Sequence, residues 1–277
     1  MKTLTLCFIF LFVVNISHAQ KGNLFIIGGG DRTKALMQEL MNTAQLKSAD
    51  YIAILPMSST EPDTSFYYIN EDLKTVCTNT VSFLNFTKDK VNNKVWLDSL
   101  KKAKLIFITG GDQSRFMKAV LHTPVFDAIH NAYNNGATIA GTSAGAAVMS
   151  RYMITGNQLR GDTVYHSTFD RLWNNNIEFE AGLGLLDSII IDQHFIVRSR
   201  YNRMISALAA YPAFTCIGID EATAITVHGN AIKVAGESQV IVMRKPQGIT
   251  TDKNGLIKFK NANISIYTNG DSFTISK

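Results

Sequence analysis

Short apolar runs alternate with amphipathic segments through most of the chain. Runs such as 24–27 and 105–108 contain no polar residue, which is typical of strands buried on both faces of a parallel sheet. The segments between them carry apolar residues at helical spacing. The alternation therefore predicts an α/β fold in which helices cover both faces of a mostly parallel central sheet. The predicted strands are 24–27, 51–55, 80–86, 105–108, 188–191 and 216–219, and the predicted helices are 33–46, 64–73, 92–101, 116–121, 125–133 and 195–210.

Two regions depart from this alternation. Residues 156–182 lose their periodicity and gain polar residues, which predicts a long loop or flap near the cleft. From about residue 224 to residue 277 the chain is rich in β-branched residues, and Asn254-Gly255 and Asn269-Gly270 are typical of hairpin turns. We therefore expect a β-rich C-terminal segment that extends the sheet or forms an edge meander.

The first nineteen residues have the pattern of a secretory signal peptide. Lys2 precedes the apolar stretch 4–14, and the small residues of Ser17-His18-Ala19 follow it. This stretch is too short to span a membrane, which needs about 20 apolar residues. We expect cleavage after Ala19 and export of the protein, either secreted or periplasmic. Residues 20–277 would then form a single α/β domain.

Composition narrows the function only slightly. There are 27 Lys and Arg against 22 Asp and Glu, and loss of Lys2 lowers the net charge from +5 to +4. This excess is too small to indicate binding to nucleic acid or to a membrane surface. Cys77 and Cys216 remain after cleavage, and either a disulfide or two free thiols is compatible with the sequence. No His-Glu-x-x-His or paired-cysteine spacing is present, so we expect no metal and no other cofactor.

The Gly-Thr-Ser-Ala-Gly turn at residues 141–145 contains the candidate nucleophile. An apolar run ends at Gly141, and a run of small, helix-forming residues follows Ser143. This is the pattern of a nucleophile elbow, in which glycines allow a strand to turn sharply into a helix and expose the serine hydroxyl. The first amides of that helix, with the helix dipole, can stabilise an oxyanion. A loop without chemistry could have the same five residues, so the interpretation depends on the partners of Ser143.

A serine nucleophile needs a base, and the base needs a carboxylate that fixes its tautomer. His194 directly follows an apolar strand, at the end of the sheet where α/β proteins place their ligands. Glu221 follows the next predicted strand in the same way, whereas the adjacent Asp220 would point to the opposite side of an extended chain. We therefore predict Ser143, His194 and Glu221 as nucleophile, base and orienting carboxylate.

Two glycine turns, at 28–31 and 110–113, also follow predicted strands and should converge on the same cleft. Gly28-Gly29-Gly30 lacks the Gly-x-Gly-x-x-Gly spacing of a dinucleotide-binding loop, and no acidic residue ends the next strand. We interpret it as a tight turn.

Four segments together resemble the cyanophycinases, which are serine exopeptidases of the aspartyl dipeptidase clan. These segments are 110–113, 141–146, 192–195 with the three arginines that follow, and 218–221. The resemblance begins near residue 22 and extends to the C-terminal β segment. It implies a fold related to class I glutamine amidotransferases. It also implies hydrolysis of cyanophycin, a poly-aspartate that carries arginine on each β-carboxyl group, to β-aspartyl-arginine dipeptides.

The resemblance also implies the remaining site residues. The amides of Ala144, Gly111 and Asp112 would form the oxyanion hole. Arginine forks suit substrate carboxylates, and Asp192 would offer the opposite charge to a substrate guanidinium. A homodimer is implied as well. The implied substrate-binding residues are Gln113, Asp192, Gln193, Arg198, Arg200 and Arg203.

Three alternatives follow from the same residues. A peptidase of the same clan that cleaves short aspartyl or isoaspartyl peptides would carry the same Ser, His and Glu. A catalytically silent binding protein could use the same fold, and the arginines could then be a solvated helix face. Nucleic-acid binding is the most remote alternative, because no aromatic platform or basic stripe accompanies the arginines.

Overall fold

The computed structural model describes residues 21–161 and 165–275, so the predicted signal peptide lies outside the described residues. None of the helices described is long and apolar enough to cross a membrane. The helices are α1 (Lys34–Ala44), α2 (Pro62–Lys74), α3 (Lys94–Lys102), α4 (Gln113–Val120), α5 (Pro124–Asn134), α6 (Ala144–Ala147) and α7 (Tyr201–Ala210). The strands are β1 (Leu24–Ile27), β2 (Tyr51–Leu55), β3 (Thr80–Phe83), β4 (Leu105–Ile108), β5 (Thr138–Thr142), β6 (Tyr152–Gln158), β7 (Ile177–Ala181), β8 (Ile189–Asp192), β9 (Thr215–Ile219), β10 (Thr223–His228), β11 (Ala231–Gly236), β12 (Val240–Gln247), β13 (Thr250–Thr251), β14 (Ile257–Lys258), β15 (Asn261–Tyr267) and β16 (Ser272–Thr274).

The central sheet has the strand order β16-β11-β10-β1-β5-β4-β2-β3. The five strands from β1 to β3 in this order pair in parallel. The other three are antiparallel and come from the C-terminal segment, which joins the sheet through β10 on β1. The predicted α/β fold and the strand-rich C-terminal segment are thus confirmed. The sheet is therefore mixed, with a parallel half from the N-terminal part of the chain and an antiparallel edge from the C-terminal segment.

Helices cover both faces of the parallel half. Along β1, Leu24 and Ile26 pack into one core cluster while Phe25 and Ile27 pack into another, as the alternation of a strand requires. The first cluster contains apolar residues of α3, α4 and α5, and the second contains those of α1 and α2. This double cover explains why the strands are apolar throughout.

A second sheet, with the order β15-β12-β9-β8, carries two of the predicted catalytic strands. The strands before His194 and Glu221, β8 and β9, pair in parallel here, and β12 adds to β9 in antiparallel fashion. One face of this sheet packs against α7 through a separate apolar cluster. The expectation that all site strands lie in one sheet is therefore wrong: Ser143 follows a strand of the central sheet, and its predicted partners follow strands of the second.

Three local predictions need correction. The segment 156–182 is not a loop throughout, because β6 and β7 pair in antiparallel fashion at its two ends. The helix predicted from residue 195 begins at Tyr201, since His194 and Ser199 have φ angles of 46° and 48° that no α-helix accommodates. Cys77 and Cys216 are free thiols, so the disulfide alternative is excluded in this structure.

Candidate active site

Ser143 occupies a strained turn between β5 and α6. Its φ and ψ angles are 54° and −111°, a conformation that L-residues rarely adopt. A Cβ atom on Gly141 would lie 2.2 Å from the carbonyl oxygen of Gly145, and one on Gly145 would lie 2.2 Å from that of Ile108. Only glycine therefore fits on either side of the serine, as the nucleophile elbow requires. Since α6 is a single turn of four residues, individual amides rather than a long helix dipole would act on the substrate.

The three side chains predicted to act together lie in contact. The Nε2 atom of His194 lies 2.8 Å from the Ser143 hydroxyl oxygen, and its Nδ1 atom lies 2.5 Å from a carboxylate oxygen of Glu221. The carboxylate accepts a hydrogen bond at Nδ1–H, which leaves Nε2 as an acceptor for the serine proton. These distances are within the range for proton transfer from Ser143 to His194.

Backbone contacts hold His194 in place. Its amide donates to the Gly28 carbonyl at 2.7 Å, and its positive φ turns the chain away from the direction of β8. One carboxylate oxygen of Asp220 accepts hydrogen bonds from the amides of Ile196 and Val197, at 2.9 and 3.0 Å. The two adjacent carboxylates therefore differ in their contacts. Glu221 contacts the imidazole of His194, and Asp220 binds backbone amides of the turn that follows His194.

The glycine turn at 28–30 packs directly against these side chains. A Cβ atom on Gly29 would lie 2.3 Å from Cε1 of His194, and one on Gly30 would lie 2.6 Å from Cβ of Glu221. Sequence analysis recognised the turn but not this contact. The available signal was a run of three glycines at the end of a strand predicted to border the cleft.

Burial keeps the imidazole neutral. It lowers the pKa of His194 below its ordinary value of 6.5; the hydrogen bond that His194 donates to Glu221 opposes this shift, and the positive charge of Arg198 adds to it. A neutral imidazole near pH 7 can accept a proton, which is the state that a general base needs.

Two of the three amides predicted for the oxyanion hole are available. The amides of Gly111 and Ala144 donate no hydrogen bond to any group in ranges 21–161 and 165–275. The Asp112 amide donates to the carbonyl of Ser58 at 2.9 Å, and the Asp112 carboxylate accepts from the amide of Arg115 at 3.0 Å. The prediction of an oxyanion donor at Asp112 is therefore wrong, because that amide already has an acceptor.

A cavity of about 510 Å³ lies against Ser143. Its walls carry charges of both signs, with Arg198, Arg200 and Arg203 among the cations and Glu178 and Glu180 among the carboxylates. Arg198 and Arg200 would lie on opposite sides of an ideal helix, but both line this cavity because residues 195–200 are not helical.

Asp192 does not offer a free negative charge to this cavity. Its side chain is 2% exposed, and both of its oxygens bind the guanidinium of Arg203, with the Nε contact at 2.9 Å. Arg200 lies 3.6 Å from the same carboxylate. Burial alone would lower the pKa of Arg203, but Asp192 offsets this and raises it. The expectation that Asp192 meets a substrate guanidinium is wrong, because a buried carboxylate between two arginines is already paired.

The two predicted glutamines also make internal contacts. The Gln113 side-chain amide donates to the carbonyls of Ile154 and Thr155, each at 2.9 Å, and so fixes β6 at the cavity edge. Gln193 accepts from Arg200 through its backbone oxygen at 2.6 Å and through its side-chain oxygen. Both glutamines line the cavity.

Sequence analysis missed Tyr165, which lies in the segment between β6 and β7. Its hydroxyl accepts a hydrogen bond from Arg200 at 2.9 Å, and its ring would be 3.0 Å from a Cβ atom on Gly156. Burial acts to raise the pKa of Tyr165, but the charges of Arg200 and Arg203 outweigh it, so that the pKa is lowered. A lone tyrosine in a polar segment carries no motif that would have revealed this contact.

Replacing Asp192 with alanine is expected to destabilise the protein by about 3–5 kcal/mol, because it leaves a buried guanidinium without its counterion. Chemical unfolding measures this loss. The matched control is Asp187→Ala, which breaks a surface pair with Arg151 whose side chains are 81% and 57% exposed, and which should destabilise the protein far less. Equal losses in the two variants would contradict the structural role of Asp192.

A serine on a strand-to-helix turn, hydrogen-bonded to a histidine that is in turn bonded to a carboxylate, defines the class of serine hydrolases. Residues 24–235 match the profile of Peptidase family S51. The chain belongs to this family and is a serine-type peptidase.

Several proteins similar to this chain in sequence are cyanophycinases. The chain is 31% identical over 267 residues to the cyanophycinase of Trichormus variabilis, covering 92% of this chain and 86% of that protein. It is 32% identical over 238 residues to that of Geminocystis herdmanii, covering 80% of each.

Solved structures show the same fold at lower identity. A peptidase from an acI-B1 Actinobacterium superposes with a TM-score of 0.69 at 19% identity, covering 93% of this chain and 98% of that one. A putative peptidase E from Listeria monocytogenes gives 0.55 at 18% identity, covering 79% of this chain and 100% of that one. No group of three His, Cys, Asp or Glu residues within the described ranges could hold a metal ion.

Proposed function

We propose that this peptidase hydrolyses cyanophycin from a chain end and releases β-aspartyl-arginine dipeptides. The similar proteins from Trichormus variabilis and Geminocystis herdmanii are named cyanophycinases, which are enzymes that hydrolyse this polymer. The observation that carries the mechanism is the continuous contact from Ser143 through His194 to Glu221, at 2.8 and 2.5 Å.

In this mechanism His194 Nε2 accepts the Ser143 proton as Oγ attacks the scissile carbonyl. The amides of Gly111 and Ala144 stabilise the oxyanion. The tetrahedral intermediate collapses as the C–N bond breaks and His194 returns the proton to the leaving amine, which leaves an acyl-enzyme. A water molecule, deprotonated by His194, then hydrolyses the ester and restores Ser143. Glu221 stabilises the imidazolium form in both steps.

The charges of the cavity support this substrate. Each side arm of cyanophycin carries one carboxylate and one guanidinium, and the cavity beside Ser143 is lined by residues of both signs. Arg198, which is exposed, suits the carboxylate, since a guanidinium can form paired hydrogen bonds with it.

Product analysis tests the proposal. The protein is incubated with cyanophycin and, separately, with α-aspartyl and isoaspartyl dipeptides, and the products are followed by mass. Release of β-aspartyl-arginine from the polymer supports the proposed function. Cleavage of short dipeptides alone would assign the chain to an aspartyl dipeptidase, and no cleavage with intact binding would indicate a silent binding protein.

We infer further that the protein is exported, from the signal-peptide pattern of residues 1–19. Degradation of polymer outside the cell would follow from this location. Mass analysis of the protein recovered from the periplasm or medium tests the export, and a chain retained in the cytoplasm with Met1 intact would refute it.

Light scattering of the purified protein tests the homodimer that the resemblance implies.

The acid limb of kcat/KM is expected to lie below pH 6.5, because activity requires neutral His194 and its pKa is lowered. Arg198→Gln removes a positive charge that contributes to this lowering, so the His194 pKa rises and the limb moves to higher pH. Lys118→Gln is the control, since it removes another cation from the cavity lining that is not among the causes of the His194 shift. A limb that stays in place in Arg198→Gln would contradict the assignment of His194 as the base.

A further inference from the structure

Strand β7 contributes two carboxylates, Glu178 and Glu180, to the cavity that also contains the arginines. We propose that Glu180, assisted by Glu178, binds the cationic end of the substrate side arm and so determines the preference for arginine. This inference rests on the proposed function and adds the residues that recognise the guanidinium.

Strand geometry places both carboxylates on the cavity side of β7. Successive side chains of a strand point to opposite faces, and Ile177 and Phe179 pack into the apolar cluster under α7. Glu178 and Glu180 therefore share the other face, and both line the cavity that contains Ser143. The polar alternation in this segment is thus the pattern of a strand with one apolar face and one charged face.

The two carboxylates differ in how they are held. One oxygen of Glu178 accepts hydrogen bonds from the Thr155 hydroxyl at 2.7 Å and from the Asn157 side chain at 2.8 Å. Glu180 is partly buried and forms no hydrogen bond or ion pair with the described residues. A half-buried carboxylate without a partner in a substrate cavity is available for a ligand cation.

The other acidic residues near the cavity are already used. Asp192 is enclosed by Arg203 and Arg200, and the Asp112 carboxylate caps the first turn of α4. The free negative charge that a guanidinium requires is therefore on β7.

The opposite wall completes the pocket. Arg198 is exposed, lines the same cavity, and forms no side-chain hydrogen bond or ion pair with the described residues. The guanidinium of Arg198 is therefore available to a substrate carboxylate, whereas Arg200 is 2% exposed and bound to Gln193 and Tyr165. A side arm with a carboxylate at one end and a guanidinium at the other satisfies both walls at once, with charge-assisted hydrogen bonds to each.

Two defined oligomers test the proposal. One is a short β-aspartyl-arginine oligomer, and the other carries citrulline in place of arginine, which keeps the shape but replaces the guanidinium with a neutral urea. The wild-type protein should hydrolyse the arginine oligomer with the higher kcat/KM. Glu180→Gln should lower kcat/KM for the arginine oligomer by roughly 10- to 100-fold, as loss of a charge-assisted hydrogen bond predicts. It should change the value for the citrulline oligomer by less than about 2-fold, and Glu178→Gln in addition should widen the loss for arginine.

Glu61→Gln, an exposed residue that makes no side-chain cap at the start of α2, is the matched control and should change neither value. Equal losses on both oligomers in Glu180→Gln would overturn the proposal, since a purely structural role affects both substrates alike. An unchanged preference for arginine would overturn it as well. Failure of the wild-type protein to cleave either oligomer would overturn the proposed function. The role of Glu180 would then be tested by calorimetry: Ser143→Ala should bind the arginine oligomer more tightly than the citrulline oligomer, and adding Glu180→Gln should remove this difference, whereas a difference that persists would overturn the proposal.

Discussion

Ser143→Ala is expected to lower turnover of cyanophycin by roughly 10⁴- to 10⁶-fold while substrate binding is retained. The variant removes the hydroxyl oxygen that lies 2.8 Å from His194 Nε2 and would form the acyl-enzyme, and losses of this size follow removal of a serine nucleophile. Dipeptide release measures the turnover, and calorimetry measures binding.

Ser272→Ala is the matched control for this prediction. Ser272 lies exposed on β16, at the far edge of the central sheet, so its replacement should leave both measurements unchanged. Hydrolysis by Ser143→Ala at more than a few per cent of the wild-type rate would refute the assignment of the nucleophile.

Gly29→Ala is expected to lower kcat/KM by roughly 10²-fold or more in a protein that still folds. The added Cβ would lie 2.3 Å from Cε1 of His194, so the imidazole must move, and a displacement of about 1 Å at a reacting group can cost 10²-fold. The effect should appear mainly in kcat, because the arginines and β7 that bind the side arm are not displaced.

Gly270→Ala separates the contact from the backbone strain. Both glycines have positive φ angles, 112° and 89°, but a Cβ on Gly270 would meet nothing within 4 Å. Both variants pay the conformational cost of a side chain at positive φ, about 1–2 kcal/mol, whereas only Gly29→Ala should lose activity. Equal activity in the two variants would show that the glycine turn does not position His194.

The buried pair of Asp192 and Arg203 explains how the cavity keeps its cations in place. Arg203 is fixed by both oxygens of Asp192, and Arg200 is fixed by Gln193 and Tyr165. Burial and the neighbouring Arg203 lower the pKa of Arg200. Pre-organised guanidinium groups lose little freedom when a carboxylate binds, which favours affinity.

Much of the fold was predictable from the sequence because its strands have a simple pattern. The fully buried β1 and β4 are apolar at every position, and α1 and α3 have clear amphipathic spacing, so their existence and type were correct. The sequence did not reveal that β8 and β9 leave the central sheet, because pairing partners are chosen by contacts between residues far apart in the chain. The start of α7 was also missed, since helical spacing continues across residues 195–200 although the backbone there has left-handed positions.

The candidate site divides in the same way. Ser143, His194 and Glu221 could be singled out because each follows a predicted strand and has a residue type suited to acyl transfer. The pairing of Asp192 with Arg203 could not be predicted, because the sequence does not show whether a charged side chain is already neutralised by another group. The acidic face of β7 was not predicted either, because its glutamates lie in the segment 156–182, whose sequence has no clear periodicity.

Residue type and periodicity are local properties, so the sequence is enough to show which residues can perform chemistry and that an α/β pattern gathers them at strand ends. Which of those residues are free to act follows from the folded structure. The Asp112 amide and the Asp192 carboxylate are occupied by partners 54 and 11 positions away, whereas the carboxylate of Glu180 has no partner among the described residues. Availability depends on distances and burial between distant segments, and only the folded chain brings those segments together.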